Sequence, residues 1–152
     1  MDHQTIFNNQ IAAIRDQRMK TSEQITLGEL ILKLEYINNK DKPVFFDFDD
    51  NIPDQLISWR GSYAELCLQY GKEGGFKDVV SLLQNLKEAV GKEFYGYKGG
   101  EYLMGKTTPI WIANYGDSGV HNYHGQEYQT VGVFDVEEFE DRVILLTKAF
   151  EY

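Results

Sequence analysis

Cysteine is nearly absent from this chain, which has one, Cys67, among its 152 residues. A single cysteine excludes an internal disulfide and is typical of a protein in a reducing compartment. Long apolar runs are absent as well, and none approaches the ~18 residues of a membrane span. The first ten residues, MDHQTIFNNQ, have no basic segment leading into an apolar one, so they do not resemble a signal peptide. We therefore expect a cytoplasmic protein without membrane contact.

Basic residues are scarce too. Lys and Arg total 15 against 24 Asp and Glu, which gives a formal charge of −9. Binding to a nucleic acid polymer needs clustered positive charge that displaces counterions, and the sequence has no such cluster. The acidic balance favours solubility, and a small anion is then a partner only where a local pocket holds it. Aromatic residues are abundant by contrast, at 14%, and tyrosine is common in interfaces and ligand pockets.

The spacing of apolar residues predicts an α+β fold, with a mainly antiparallel sheet and two or three helices packed on one side of it. Residues 1–25 are predicted to form an N-terminal helix or arm, and residues 26–152 a single domain. Two alternatives stay open for the arm, which is either mobile, as terminal segments commonly are, or docked on a neighbouring subunit. Strands are predicted over six segments: 44–48, 56–60, 63–70, 109–115, 131–136 and 143–149.

Two further helices carry signals at their ends. Thr26 and Glu29 form the T-x-x-E pattern of a capping box, ahead of apolar residues spaced by three and four. Asp78 is the predicted N-cap of the next helix, and Gly91 its C-cap. We assign no chemistry to either helix.

Residues 100–107, GEYLMGKT, match the P-loop pattern G-x-x-x-x-G-K-[ST]. A P-loop needs a buried strand before it and a helix that begins at its lysine. Here Tyr102 and Leu103 indicate a strand inside the motif, and Lys106 is followed by Thr-Thr-Pro and a β-branched run. We therefore predict that this segment is not a P-loop.

Patterns for catalysis and metal binding are weak. His121 and His124 form an H-x-x-H pair near Glu127, but a third ligand in a rigid frame is missing. The segment 47–54, DFDDNIPD, holds four aspartates and is interpreted as a solvated acidic turn, with a divalent cation site as the alternative. No Ser–His–Asp or Cys–His arrangement can be assembled. We expect no catalytic residues, no bound metal and no cofactor.

The candidate ligand-binding residues fall into three polar and aromatic clusters: Trp59, Arg60, Ser62 and Tyr63; Tyr97, Lys98 and Gly99; and Trp111, Asn114 and Tyr115. The guanidinium of Arg60 has five donors and stacks on aromatic rings, which suits a planar anion such as a nucleotide. Lys98 suits a phosphate, Trp111 an aromatic wall, and Asn114 the edge of a base. The alternative for these clusters is core packing, with Arg60 a buried structural arginine.

The segments SWRGSYAELCLQY and GYKGGEYLM…TPIWIANYG resemble small proteins of tailed phages and prophages. The resemblance covers about residues 26–116 and, more loosely, the C-terminal strands. Several phage proteins of this size and α+β character, the Thoeris anti-defence and anti-CBASS sponges among them, sequester cyclic nucleotide immune signals. The sequence looks similar to the first of the Thoeris anti-defence families, and no family site residues carry over.

The resemblance implies a phage-encoded sponge in the host cell cytoplasm, which binds a cyclic ADP-ribose isomer or a cyclic oligonucleotide without cleaving it. We expect it to be a homo-oligomer. Two alternatives stay open. One is an acidic inhibitor that blocks a host defence enzyme through a tyrosine-rich surface. The other is a metal-dependent phosphodiesterase that uses the carboxylates of residues 47–54.

Overall fold

A mixed six-stranded β-sheet is the framework of the protein. The computed structural model describes residues 3–20, 22–58, 65–72, 74–95 and 101–150. Three helices and ten strands lie in these ranges, in the order α1 (His3–Met19), α2 (Leu27–Glu35), β1 (Val44–Phe46), β2 (Gln55–Ser58), β3 (Leu66–Tyr70), α3 (Val79–Ala89), β4 (Glu93–Tyr95), β5 (Glu101–Leu103), β6 (Ile110–Asn114), β7 (Val120–Tyr123), β8 (Gln126–Gln129), β9 (Val131–Glu138) and β10 (Val143–Ala149). These elements confirm the α+β fold class.

The strand order of the sheet is β1-β10-β9-β6-β3-β2. β9 pairs antiparallel with β10 and with β6, and β2 pairs antiparallel with β3. The β1–β10 and β3–β6 pairs are parallel. β3 reaches β6 through a connection that contains α3, a crossover of the kind that parallel neighbours require. Two small antiparallel hairpins, β4–β5 and β7–β8, stand outside this sheet.

α2 and α3 begin where the sequence predicts. The side chain of Thr26 accepts a hydrogen bond from the amide of Glu29, and the carboxylate of Glu29 accepts one from the amide of Thr26, so the capping box is present. Asp78 is the N-cap of α3. The predicted C-cap is displaced by one residue, since Val90 is the C-cap and Gly91 follows it with a left-handed φ of 77°.

The main core lies between these two helices and one face of the sheet. On the sheet side of this core, every second residue of a strand is a core residue, as burial of one face of a sheet requires. The largest contributors are Leu27, Leu30, Leu34, Val79, Leu82, Leu86, Phe46, Leu66, Leu68, Ile110, Ile112, Val131, Val133, Val143 and Leu145. Cys67 is also buried, on the other face of β3 beside Trp111, where it packs as a small apolar side chain.

α1 packs against the opposite face of the sheet. Along β10, Ile144 and Leu146 alternate with the residues of the main core and pack with Ile11 of α1. The prediction of helices on one side only is therefore wrong for α1, because β10 is apolar on both faces. α1 docks on its own sheet here, with Phe7 at its margin. The spacing of Ile6, Ile11 and Ile14 predicts that all three lie near one face of this helix, but Ile6 is 45% exposed.

The sequence of the polar, glycine-bearing segment 117–128 predicts a long hairpin loop or an insertion, and this segment forms most of the β7–β8 hairpin. Its turn consists of His124 and Gly125, which both have positive φ. The P-loop-like segment contains β5, and after Lys106 the chain turns and enters β6 instead of a helix. This agrees with the predicted absence of a P-loop. Among the described residues no helix has the length and apolarity needed to cross a membrane.

Candidate functional site

A cleft of about 670 Å³ with a largely polar lining lies between α1, the chain that follows β1, and the β7–β8 hairpin. We call it the α1 cleft. It is lined by Asn8, Ile11, Ala12, Arg15, Phe46, Asp47, Phe48, Asp49, Asp50, Asn122, His124 and Gly125. Its volume is typical of sites that hold small molecules.

Two buried charges lie at the base of the cleft. The Nε atom of Arg15 is 3.2 Å from Oδ2 of Asp47, and the side chains of the two residues are 14% and 0% exposed. Asp47 follows β1 between Phe46 and Phe48, so its side chain points away from the main core and towards α1. The position of the arginine therefore depends on α1, and that of the carboxylate on the sheet.

Thr147 and Tyr123 complete this buried network. The amide and the hydroxyl of Thr147 both donate to the Asp47 carboxylate. Arg15 donates through its Nε atom to the carbonyl of Thr147 and through its Nη2 atom to the hydroxyl of Tyr123, each at 3.0 Å. The hydroxyls of Tyr123 and Thr147 are 2.8 Å apart. α1, β1, β7 and β10 are thus joined by hydrogen bonds beneath one cleft.

Burial sets the protonation of these groups. It raises the pKa of Asp47 to about 6, although the hydrogen bonds from Thr147 and the charge of Arg15 oppose it. Burial also raises the pKa of Tyr123 to about 12. At the rim, burial followed by the charge of Arg15 lowers the pKa of His124, so this imidazole is neutral at pH 7.

Four non-glycine residues of the described chain have a left-handed φ, and all four line the α1 cleft. They are Asp49, Asp50, Asn122 and His124, with φ between 47° and 56°. Asp49 and Asp50 occupy the centre of a tight turn closed by a hydrogen bond from the Asn51 amide to the Phe48 carbonyl. Asp, Asn and His adopt this conformation more readily than other non-glycine residues, and residues held in it cluster at active sites and ligand clamps.

The cleft offers more acceptors than donors to a ligand. Asp49 and Asp50 are exposed at its edge, and Asn8 and Asn122 add side-chain amides. The cation among the lining residues is Arg15, and its Nε and Nη2 atoms already donate hydrogen bonds within the buried network. Its Nη1 atom lies 3.6 Å from the exposed carboxylate of Asp16. This arrangement suits a ligand rich in hydrogen-bond donors better than one rich in phosphate.

Most of the sequence-predicted site residues lie outside the described residues. These are Trp59, Arg60, Ser62, Tyr63, Tyr97, Lys98 and Gly99. Within the described chain, Tyr70 at the end of β3 contacts Phe48 of the cleft, with ring centroids 5.3 Å apart.

The third predicted cluster is divided by the structure. Trp111 is 3% exposed, packs edge-on against Phe150, and donates from its indole nitrogen to Glu65 at 3.1 Å. Asn114 and Tyr115 lie at the other end of β6, where the Tyr115 amide donates to the Tyr70 carbonyl. Tyr115 is exposed, and Lys72 lies over its ring. Trp111 thus lies in a packed environment, and Asn114 with Tyr115 at the Tyr70 end of the sheet.

The aspartates of residues 47–54 do not behave alike. Asp49 and Asp50 are exposed, as expected for a solvated turn, but that interpretation is wrong for Asp47, whose carboxylate is buried against Thr147 and Arg15. Among the described residues no group of three or more His, Cys, Asp or Glu side chains is arranged to hold a metal ion. The side chain of His121 is half exposed, and its Nε2 atom lies 3.5 Å from Oδ2 of Asp117.

Sequence reasoning missed the α1 cleft, although two signals for it are present. The alternation Phe46-Asp47-Phe48 places a carboxylate on the face opposite two core aromatics. Arg15 follows Ile11 by four residues, so it lies on the same side of α1 as a buried apolar residue. An arginine and an aspartate that each face a core are expected to pair.

No protein-family model, curated protein or solved structure matches this chain.

Proposed function

We propose that this protein binds a small molecule in the α1 cleft through the hydrogen-bond donors of that molecule, and sequesters it without converting it. The observation that carries the proposal is the convergence of all four left-handed, non-glycine residues of the described chain on a cleft built over a buried ion pair. Non-glycine residues held in the left-handed region cluster at ligand clamps, where they pre-organise a binding site.

The ligand that we propose is a cyclic nucleotide immune signal, either a cyclic ADP-ribose isomer or a cyclic oligonucleotide. Support comes from the resemblance to phage anti-defence sponges and from the chemistry of the cleft. The carboxylates of Asp49 and Asp50 can accept hydrogen bonds from the amino group of a purine and from the hydroxyls of a ribose. The phage-encoded protein would act in the host cell cytoplasm and release its ligand intact.

The phosphates of such a ligand need cations that the α1 cleft does not supply. Arg60 and Lys98 remain the predicted phosphate-binding residues, and both lie outside the described residues. We therefore propose that the base and ribose contact the carboxylates of the cleft. The phosphates contact Arg60, Lys98 or cations in the solvent.

The test is isothermal titration with cyclic ADP-ribose isomers and cyclic di- and trinucleotides, followed by mass spectrometry of the molecule released by heat. We expect one of them to bind and to be recovered intact. The double variant Asp49→Asn, Asp50→Asn should weaken this binding by roughly 10- to 100-fold, because hydrogen bonds to charged groups are lost. Asp41→Asn, an exposed aspartate outside the cleft, is the matched control.

Three results would contradict the proposal in different ways. If no cyclic nucleotide binds, the sponge is wrong. If a linear product is recovered, the protein is a hydrolase. If Arg60→Ala abolishes binding while the Asp49 and Asp50 variant binds normally, the ligand lies at the sequence-predicted cluster and not in the α1 cleft.

A further inference from the structure

A small cleft of about 200 Å³ lies between α3 and the start of β2. We call it the α3 cleft. Asp54 and Gln55 line it from the sheet, and Asn85 and Glu88, three residues apart on α3, line it from the helix. Lys92, between α3 and β4, is the fifth polar residue of the lining. The α3 cleft shares no residue with the α1 cleft, so it is a separate site.

Two buried oxygen atoms of these lining residues accept no hydrogen bond. They are Oδ1 of Asp54 and Oε1 of Gln55. The one other such side-chain atom among the described residues is Nε of Arg142, which lies outside this cleft. Buried polar atoms nearly always have a partner, and an exception calls for an explanation such as a bound water or ion. Two unpaired acceptors on consecutive residues of one cleft therefore indicate a site for a hydrogen-bond donor.

The carboxylate of Asp54 is held in place by its other oxygen. Oδ2 of Asp54 accepts a hydrogen bond from the amide of Lys72 at 2.6 Å, and the amide of Asp54 donates to the carbonyl of Gln69. Burial raises the pKa of Asp54, although the hydrogen bond and the charge of Lys72 oppose it. A cation placed against Oδ1 would favour the ionised form of this carboxylate.

The helical side of the α3 cleft adds acceptors. The side-chain nitrogen of Asn85 donates to the carbonyl of Ser81 at 2.8 Å, which leaves its Oδ1 as an acceptor. Oε1 of Glu88 accepts from Gln84 at 3.3 Å, and its second oxygen adds another acceptor. Two carboxylates and the single ammonium of Lys92 leave the lining net negative, as is the whole chain. Such a field attracts cations.

We propose that the α3 cleft binds a small primary alkylammonium ion, whose N–H groups donate to Oδ1 of Asp54 and Oε1 of Gln55. An ammonium group has three donors and no acceptor, which matches this lining. Both oxygens are shielded from solvent, so a small side-chain rotation accompanies binding. This inference does not depend on the ligand of the α1 cleft.

The size and the apolar part of the lining define the rest of the ligand. Leu56, Phe76 and Ala89 line the same cleft, and they suit a short methylene chain. The ring of Phe76 also suits a cation, because the face of an aromatic ring is negative. The volume is below the roughly 300 Å³ at which sites for drug-sized molecules begin, so the ligand has only a few carbon atoms.

An NMR titration of the full ¹⁵N-labelled chain with n-butylamine at pH 7 tests the proposal. We expect saturable shifts of the side-chain amide of Gln55 and of the backbone amides of Asp54 and Asn85, with a Kd on the order of 1 mM. Two control compounds separate the contributions. Tetramethylammonium has the charge without N–H donors, and 1-butanol has the chain without the charge. Both should bind at least about 10-fold more weakly.

Two variants of the lining test the unpaired oxygens. Gln55→Met removes the acceptor and keeps the length of the side chain. It should weaken butylamine binding by roughly 10-fold and raise the melting temperature of the free protein, because a buried acceptor without a partner is removed. Asp54→Asn removes the charge and should weaken binding by roughly 10- to 100-fold. Gln126→Met, at an exposed glutamine on β8, is the matched control and should change neither quantity.

Three outcomes would overturn the proposal. The first is the absence of saturable shifts at these residues with butylamine. The second is equal binding of tetramethylammonium, which would show attraction of any cation without hydrogen bonds. The third is a Gln55→Met protein that melts at a lower temperature and binds butylamine like the wild type, which would assign both oxygens to ordered water only.

Discussion

Arg15 and Asp47 form a buried ion pair that connects α1 to the end of β1, with 3.2 Å between Nε and Oδ2. Thr147 donates two hydrogen bonds to the same carboxylate, and Arg15 donates back to the Thr147 carbonyl. Breaking such a pair leaves an uncompensated charge out of water. The pair therefore fixes the helix that forms one wall of the α1 cleft.

The first prediction concerns the pH dependence of stability. Burial raises the pKa of Asp47 from 3.8 to about 6 in the folded protein. Between these values the folded protein holds a proton that the unfolded chain has released, so the contribution of Asp47 to the free energy of unfolding falls as pH rises from about 4 to 6. A shift of this size corresponds to about 2 to 3 kcal/mol.

Other carboxylates act in the opposite direction, because the ion pairs of Asp135 lower its pKa despite partial burial. The measurement is therefore a difference: urea unfolding of wild type and Asp47→Asn at each pH from 4 to 8. The wild-type value minus the variant value should decrease with pH up to about 6 and then stay constant. A difference that rises with pH would contradict the assignment of a raised pKa.

The second prediction concerns the partner in this pair. Arg15→Gln should destabilise the protein by about 3 kcal/mol at pH 8, because the Asp47 carboxylate stays buried without its cation. The loss should be smaller at pH 5, where Asp47 is protonated. Arg18→Gln is the control on the same helix. Arg18 pairs with Asp135 and Glu137, but its side chain is 38% exposed, so about 1 kcal/mol or less is expected. Equal losses at both sites would argue against a special role for Arg15.

Local signals let the sequence predict much of the fold. The side chains of Thr26, Glu29 and Asp78 accept hydrogen bonds from backbone amides within three residues of themselves. A short sequence pattern is therefore enough to predict these helix caps. Strands β9 and β10 are apolar throughout most of their length and were predicted within two residues of their bounds. The hairpin of β7 and β8 was missed because its apolar residues are few and its turn depends on His124 with a positive φ.

The site is harder to predict because it joins residues that are distant in sequence. Asp47 and Thr147 are 100 residues apart, and Arg15 is a further 32 residues before Asp47. Four aspartates in eight residues look alike in sequence, and only the partner helix distinguishes Asp47, which it covers, from Asp49 and Asp50, which stay exposed. Trp111 shows the reverse case, since an aromatic residue predicted for a ligand is packed against Phe150.

The third prediction concerns the strained turn of the α1 cleft. Asp50 has a φ of 50°. Among the described residues, its side chain makes no hydrogen bond, and the Nη1 atom of Arg142 lies 4.0 Å from its Oδ1 atom. Asp50→Gly should therefore stabilise the protein by about 0.5 to 1 kcal/mol, because glycine adopts this φ without steric cost. Ligand binding should weaken in the same variant. Asp41→Gly, at an exposed site without positive φ, should not stabilise. Thermal unfolding and titration on the same samples separate the two effects.

The last prediction compares two glycines that have similar backbone conformations and different surroundings. Gly71 and Gly74 have φ of 93° and 84°, so an alanine at either position pays about 1 kcal/mol for the left-handed conformation. A Cβ atom at Gly74 meets nothing within 4 Å, whereas one at Gly71 collides with Oδ1 of Asn114. Gly71→Ala should therefore lose a further 1 to 3 kcal/mol, about the range found for overpacked sites. Urea unfolding measures both variants.

Asn114→Ala in the Gly71→Ala background supplies the control for this comparison. Removing the Asn114 amide opens the space that the new methyl group needs, so the double variant should recover most of the additional loss and resemble Gly74→Ala. If it does not, the cost at Gly71 arises from the backbone and not from contact with Asn114.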